Sequence, residues 1–238
     1  MTAIAPTSPL IVETAALETV TFDIYRNIHK GIRAGLFSVT QTAGTVDPHD
    51  AVAVGAVAGR WSDMVELLVA HAEHEDGFVQ PVIERCNPAY AAEIAEAHPR
   101  LECQMAELEI LADRAVNACP EQVRLLTHRL YLGLASFTAE YLQHQEFEEF
   151  EVMVMLSQHL TFEELLAVDN AIVASIEPEM MAKCAALRLP AMNIEDQTDL
   201  FEGARGGVPP EVFQGMLMLA QTVLDPASYE TLVRRLGV

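Results

Sequence analysis

From Leu17 to about residue 158 the apolar residues recur at spacings of three and four, and this repeat is interrupted at only three places. A period near 3.6 paints one stripe along an α-helix, whereas the strict alternation of a half-buried strand hardly occurs here. The interruptions are Gly44 with Asp47-Pro48, Asn87-Pro88 and Cys119-Pro120. Proline lacks a backbone donor and pushes the residue before it out of the helical region. The pattern predicts helices over about 17–41, 49–86, 89–118 and 121–158. Connections this short between helices this long make successive helices antiparallel neighbours. The expected fold is all-α, an antiparallel up-down four-helix bundle over residues 17–158.

Residues 1–16 contain Pro6 and Pro9 and no sustained period, which predicts a flexible leader. Beyond the bundle, Thr161 with Glu164 three residues on forms a capping-box pattern. Shorter helices should follow, broken at Pro178, Pro190, the GARGG stretch at 203–207, Pro209-Pro210 and Asp225-Pro226. This predicts a helical C-terminal extension over 159–238, with packing faces and no cluster of ligand-type residues. No internal repeat is visible.

Fourteen Lys and Arg against 35 Asp and Glu leave a net charge of −21. Such a surface repels phosphate backbones and anionic lipid, so nucleic-acid and membrane partners are not expected. No apolar run approaches the roughly 20 residues that a spanning helix needs. The four cysteines form no C-x-x-C pair, and the N-terminus does not resemble a secretory signal, so a reducing, cytoplasmic setting is expected.

The histidines carry the chemistry. His71 is followed four residues on by Glu75, His98 by Glu102 and His144 by Glu148. Residues i and i+4 lie about 40° apart on a helix, so each pair projects an imidazole and a carboxylate from one face. One such pair arises easily by chance on an acidic helix. Three on successive helices, with His29 on the remaining one, point to a metal. Each histidine also falls in an apolar stripe: Phe22 and Leu36 beside His29, Met64 and Leu67 beside His71, Ile94 and Met105 beside His98, Phe137 and Met155 beside His144. His128 faces away from that stripe, and His49 and His159 lie at helix ends. His74, about 60° from His71, suits a residue that supports a ligand better than a ligand itself. Imidazole with carboxylate suits Fe, Mn or Zn, and the absence of a thiolate cluster argues against structural zinc and iron–sulfur. Four His and two or three Glu exceed what one tetrahedral ion requires, so a binuclear site, two Fe ions, fits the count.

The motif His29…H71-A-E-H-E75…His98…H144-Q-E-F-E148 resembles the hemerythrin-like, or HHE cation-binding, family over about residues 20–158. The resemblance implies a bundle holding a non-haem di-iron centre, with or without an oxo or hydroxo bridge. It makes His29, His71, His98 and His144 terminal ligands and has Glu75 and Glu148 bridge the irons. Ferritin-like bundles use Glu-x-x-His, and no histidine here has Glu three residues before it. Oxygen-carrying hemerythrins place a second His four residues after the first on the third helix, and an Asp five after the His on the fourth. Glu102 and Glu149 stand at those positions. Added negative charge favours ferric iron over reversible O₂ carriage. Glu102 is then either an additional ligand or a solvated helix residue, and if it does not bind, a coordination position stays open. Tyr25 and Tyr141 are candidates to hydrogen-bond or ligate at the centre, or are core tyrosines. Arg26 and Arg33 flank His29.

The leading expectation is a cytoplasmic di-iron protein that reacts with O₂, H₂O₂ or NO in redox catalysis or detoxification. A non-enzymatic O₂ or iron sensor is the alternative, and a di-iron oxygenase acting on an organic substrate a further one. Histidines that merely pack in a metal-free core are least compatible with three spaced pairs.

Overall fold

A computed structural model describes Leu17 and residues 19–238; the predicted leader lies outside the described residues. No strand occurs among the described residues, so the chain is all-helical. The long helices are α1 (Arg26–Thr45), α2 (Ala51–His74), α4 (Pro88–Val116) and α5 (Val123–Phe147). Short α3 (Gln80–Cys86) and α6 (Met153–His159) continue α2 and α5 beyond one widened turn each. The C-terminal helices are α7 (Phe162–Ser175), α8 (Pro178–Arg188), α9 (Ile194–Arg205), α10 (Pro210–Val223) and α11 (Pro226–Leu236).

Local chemistry accounts for most boundaries. Asp50 caps α2 by accepting the Ala53 N–H, and Asn87 caps α4 ahead of Pro88. Thr161 and Glu164 close the predicted capping box of α7. Two boundaries differ from expectation. The helix predicted from residue 17 is interrupted, because residues 19–25 are not helical and the Asp23 carboxylate, accepting the N–H groups of Tyr25 and Arg26 at 3.0 Å, starts α1 at Arg26. Helix α1 also runs through Gly44, whose missing side chain makes room for the Tyr131 ring, 2.9 Å from where a Cβ would sit. Gly44 is therefore a packing residue and not a terminator.

Helix α1 packs against α2 and α5, and α4 packs against the same two. Their interior holds two apolar clusters. The first includes Ile32, Leu36, Trp61, Leu68, Leu101, Leu130 and Phe137. The second includes Tyr25, Val79, Ile94, Val152 and Leu156, and Val168 and Ile172 of α7 pack onto it. Along α1 the chain passes from the second cluster to the first, along α2 and α3 back again, and α4 and α5 with α6 repeat the course. Each helix thus crosses one layer between the clusters, and the polar residues that occupy that layer form the site.

The C-terminal helices α9 to α11 close their own core around Phe201, Phe213, Leu217 and Leu232. Helix α8 lies on α1 so closely that a Cβ on Gly31 would meet the Arg188 backbone at 2.9 Å. Gly31→Ala is expected to destabilise the chain by about 1–3 kcal/mol through overpacking. Gly55→Ala, with open space around it, should instead stabilise by up to about 1 kcal/mol through helix propensity. Urea unfolding of the two variants checks the opposite signs. All four cysteines are free. Among the described residues no helix is long and apolar enough to cross a membrane.

Candidate metal centre

In the layer between the clusters, six side chains converge from four helices and the widened turns. Ligand-type atoms of Glu75, His98, His144 and Glu148 lie within 4.8 Å of one another, and so do those of His29, His71 and Glu75. These are the six residues singled out in the sequence. Five of them are buried, and His71 is nearly so.

The two carboxylates span two histidine pairs. Glu75 sets Oε1 3.1 Å from His71 Nε2 and 4.0 Å from His29 Nε2, and Oε2 3.5 Å from His98 Nε2. Glu148 sets Oε1 3.2 Å from His144 Nε2 and Oε2 3.5 Å from His29 Nε2. The Nε2 atoms of His29 and His71 are 3.3 Å apart. Despite these distances, all four carboxylate oxygens and His98 Nε2 are buried without a hydrogen bond of proper geometry. Buried polar atoms are normally satisfied, and leaving a carboxylate unpaired is strongly unfavourable. Five orphaned atoms facing one another across 3–4 Å are a donor set arranged around a cation. Nitrogen and carboxylate oxygen donors without thiolate fit Fe, Mn or Zn.

Local backbone explains how the carboxylates reach this position. After His74 the helix widens into a single π turn, Glu75–Val79, with Gln80 N–H bonded to Glu75 O five residues back. A second π turn, Glu148–Val152, follows Phe147 in the same way, with Met153 N–H on Glu148 O. Pro81, just past the first turn, lacks the N–H that a regular helix would need there. Such insertions occur frequently at functional sites. Neither turn is legible as a break in the hydrophobic period.

Each π turn presents two consecutive acidic residues to one imidazole on another helix. Glu75 faces Nε2 of His98 while Asp76 accepts from its Nδ1 at 2.8 Å. Glu148 faces Nε2 of His29 while Glu149 accepts from its Nδ1 at 3.0 Å. The site therefore carries a two-fold repetition that the whole sequence does not display. An Nδ1–H held by a carboxylate fixes the tautomer that leaves Nε2 free for a metal. Arg33 grips Glu149 with two bonds of 2.7 and 2.8 Å. Burial pushes Glu149 up, but His29 and Arg33 outweigh it and hold the carboxyl at about 2.

The electrostatics are uneven. Burial drives His71 down to about 4, only partly opposed by Glu75. Burial also lowers His98, yet the Glu75 and Asp76 carboxylates raise it to about 9. Glu148, which burial would raise, is held below its ordinary value by His144, His29 and His98. Tyr25 and Tyr141 are both buried, and burial beside Glu75 and Glu148 pushes their phenols well above 10. Tyr25 stacks on His29 with ring centroids 5.0 Å apart, and its hydroxyl has no hydrogen-bond partner. Tyr141 sits edge-on to His144 at 5.8 Å.

Two further candidates lie outside the clusters. Glu102 is exposed and belongs to neither cluster. The buried stripe of α4 runs through Ile94, Ala97, Leu101, Met105 and Leu108, whose centre lies about 60° to one side of His98 while Glu102 lies about 40° to the other. On α2 and α5 the stripe is displaced toward the i+4 residue, which is why Glu75 and Glu148 are inside. His74 is half-buried and outside both clusters; the supporting role falls to Asp76 and Glu149. Asp76 carries no periodic signal, but its place directly after the His-x-x-x-Glu unit, matched by Glu149 after Glu148, was the available clue. His49, His128 and His159 are exposed, as their positions predict.

No curated protein and no solved structure matches the chain. The family model described as the hemerythrin HHE cation binding domain matches residues 20–164. That match takes in all six converging residues and more than half of the sequence, and the chain therefore belongs to the hemerythrin HHE cation-binding domain family.

Proposed function

We propose that the chain is a non-haem di-iron protein, an up-down four-helix bundle that reacts with O₂, H₂O₂ or NO from the cytoplasm. In this reading His29, His71, His98 and His144 would hold the ions together with Glu75 and Glu148, which face both histidine pairs. The observation that carries it is the position of those two buried carboxylates, each within 4.0 Å of imidazoles from both pairs and each without a hydrogen bond. The alternating course of the helices between two apolar clusters supports the bundle.

Two iron ions, when bound, would supply one-electron redox steps and coordination positions for a diatomic or peroxidic molecule. The chain's own residues shape that chemistry. With Glu102 in solvent, the ligand set counts six residues for two ions, which leaves room for an external molecule. The apolar clusters on either side exclude bulk water. Tyr25, protonated and unpartnered beside His29, has an O–H to offer a polar molecule in the layer. Asp76 and Glu149 keep His98 and His29 oriented.

A sensor reading is favoured by one observation. Helix α8 packs on α1, the helix of His29, and Asp196 of α9 pairs with Arg26 and Lys30 on either side of that histidine. The C-terminal helices thus touch the element that carries a ligand. Protein purified from iron-replete cells is expected to contain about two irons per chain. Catalytic consumption of H₂O₂ or NO would support the enzyme, and a stoichiometric spectral change alone would support the sensor. No bound metal would overturn both.

A further inference from the structure

A cleft of about 570 Å³ opens between α4 and α5 and is lined by Glu93, Glu96, Arg100, Glu140, Gln143 and His144, among others. It exists because Ala97, Ser136 and Ala139, small residues on the facing helix surfaces, leave space that larger side chains would fill. Arg100, the one cation in the lining, is held in an ion pair by Glu140, which also accepts from Gln104 at 2.7 Å. Glu93 and Glu96 are exposed and carry no ion pair among the described residues. The lining is therefore net acidic at its open side. His144, only 8% exposed, forms its buried wall. Glu148 lies 3.2 Å from His144 Nε2, buried and with both oxygens unsatisfied.

We propose that this cleft is the loading route for a hydrated divalent cation, Fe²⁺, into the His98 and His144 half of the centre. The proposal rests on reading the centre as a metal site. Carboxylates at the mouth concentrate the cation and take over water ligands one at a time, and the imidazole and carboxylate at the inner end receive it. An acid-lined cleft with low-dielectric walls focuses the field and raises the association rate of a cation by about ten-fold or more. An uncharged molecule such as NO gains nothing from these charges.

The test is rapid mixing of metal-stripped, full-length protein with Fe²⁺ under anaerobic conditions, followed by absorbance and final metal content. Glu93→Gln with Glu96→Gln should load at least about five-fold more slowly and lose much of the salt dependence, with unchanged final stoichiometry. Glu107→Gln with Glu109→Gln removes the same charge from exposed positions of the same helix outside the cleft, and should load like wild type. A second variant, Ala139→Phe, fills the cleft and should slow loading at any salt concentration. Loading by the cleft variants at the rate of the control would overturn the route. Uptake of one ion per chain would overturn the two-ion reading while leaving the rate comparison valid, and uptake of none would overturn the centre and the route together.

Discussion

Glu148→Met is expected to remove the iron-dependent thermal stabilisation of the chain while leaving the metal-free fold at least as stable as wild type. Glu148 is 1% exposed, and both its oxygens lack a hydrogen bond. In the metal-free chain its burial is a desolvated charge compensated only by imidazoles, and exchange of such a group for an apolar side chain of similar size is neutral or stabilising by about 1–4 kcal/mol. With metal bound the balance reverses, since a ligand at a thousand times its Kd stabilises by about 4 kcal/mol. Melting curves with and without Fe²⁺, together with metal analysis, separate the two effects. Full iron content in Glu148→Met and in His71→Ala would sink the ligand assignment. A metal-free Glu148→Met that melts well below metal-free wild type would show that the carboxylate is structural.

Iron affinity should fall steeply with acid, by about ten-fold per pH unit for each proton displaced, beginning below about pH 9. His98 is raised to about 9 by Glu75 and Asp76 after burial has lowered it, so at neutral pH the incoming ion must displace its proton. His71, driven down to about 4, is already neutral there and contributes nothing to this slope. The same proton acts on the fold in the opposite direction. A raised histidine stabilises the metal-free fold fully below its unfolded value of 6.5, and that contribution is lost as pH rises through about 9. Metal-free stability should therefore decline over the interval in which iron affinity rises. Asp76→Asn removes the carboxylate 2.8 Å from His98 Nδ1, which should shift the onset of the affinity loss to lower pH. It should also weaken binding about 10–100-fold at pH 9, where orientation of the ring is all that Asp76 still provides. Chelator competition from pH 6 to 9 checks both. A flat profile would show that His98 is neutral in the metal-free chain.

Much of this candidate centre is legible in the sequence. The repeat of three and four residues and the proline cuts located the long helices, and the His-x-x-x-Glu units on apolar stripes picked out six residues that do converge. The rest depends on neighbours in space. Glu102 has the same spacing from His98 as Glu75 from His71, but the stripe of α4 is displaced the other way. Spacing alone therefore leaves Glu102 open between a ligand and a solvated helix residue. Gly44 read as a break because glycine weakens helices, whereas the Tyr131 ring against it shows a packing role.

By itself the sequence determined helix positions, the apolar stripes and the candidate ligands, because these follow from a period along one helix and from donor chemistry. Only the tertiary structure brought Asp76 and Glu149 against His98 and His29 and left Glu102 exposed. The two π turns aim consecutive acids, Glu75 with Asp76 and Glu148 with Glu149, at opposite nitrogens of a histidine on another helix. Sequence periodicity describes one helix at a time, whereas those contacts depend on how four helices are placed around a shared layer.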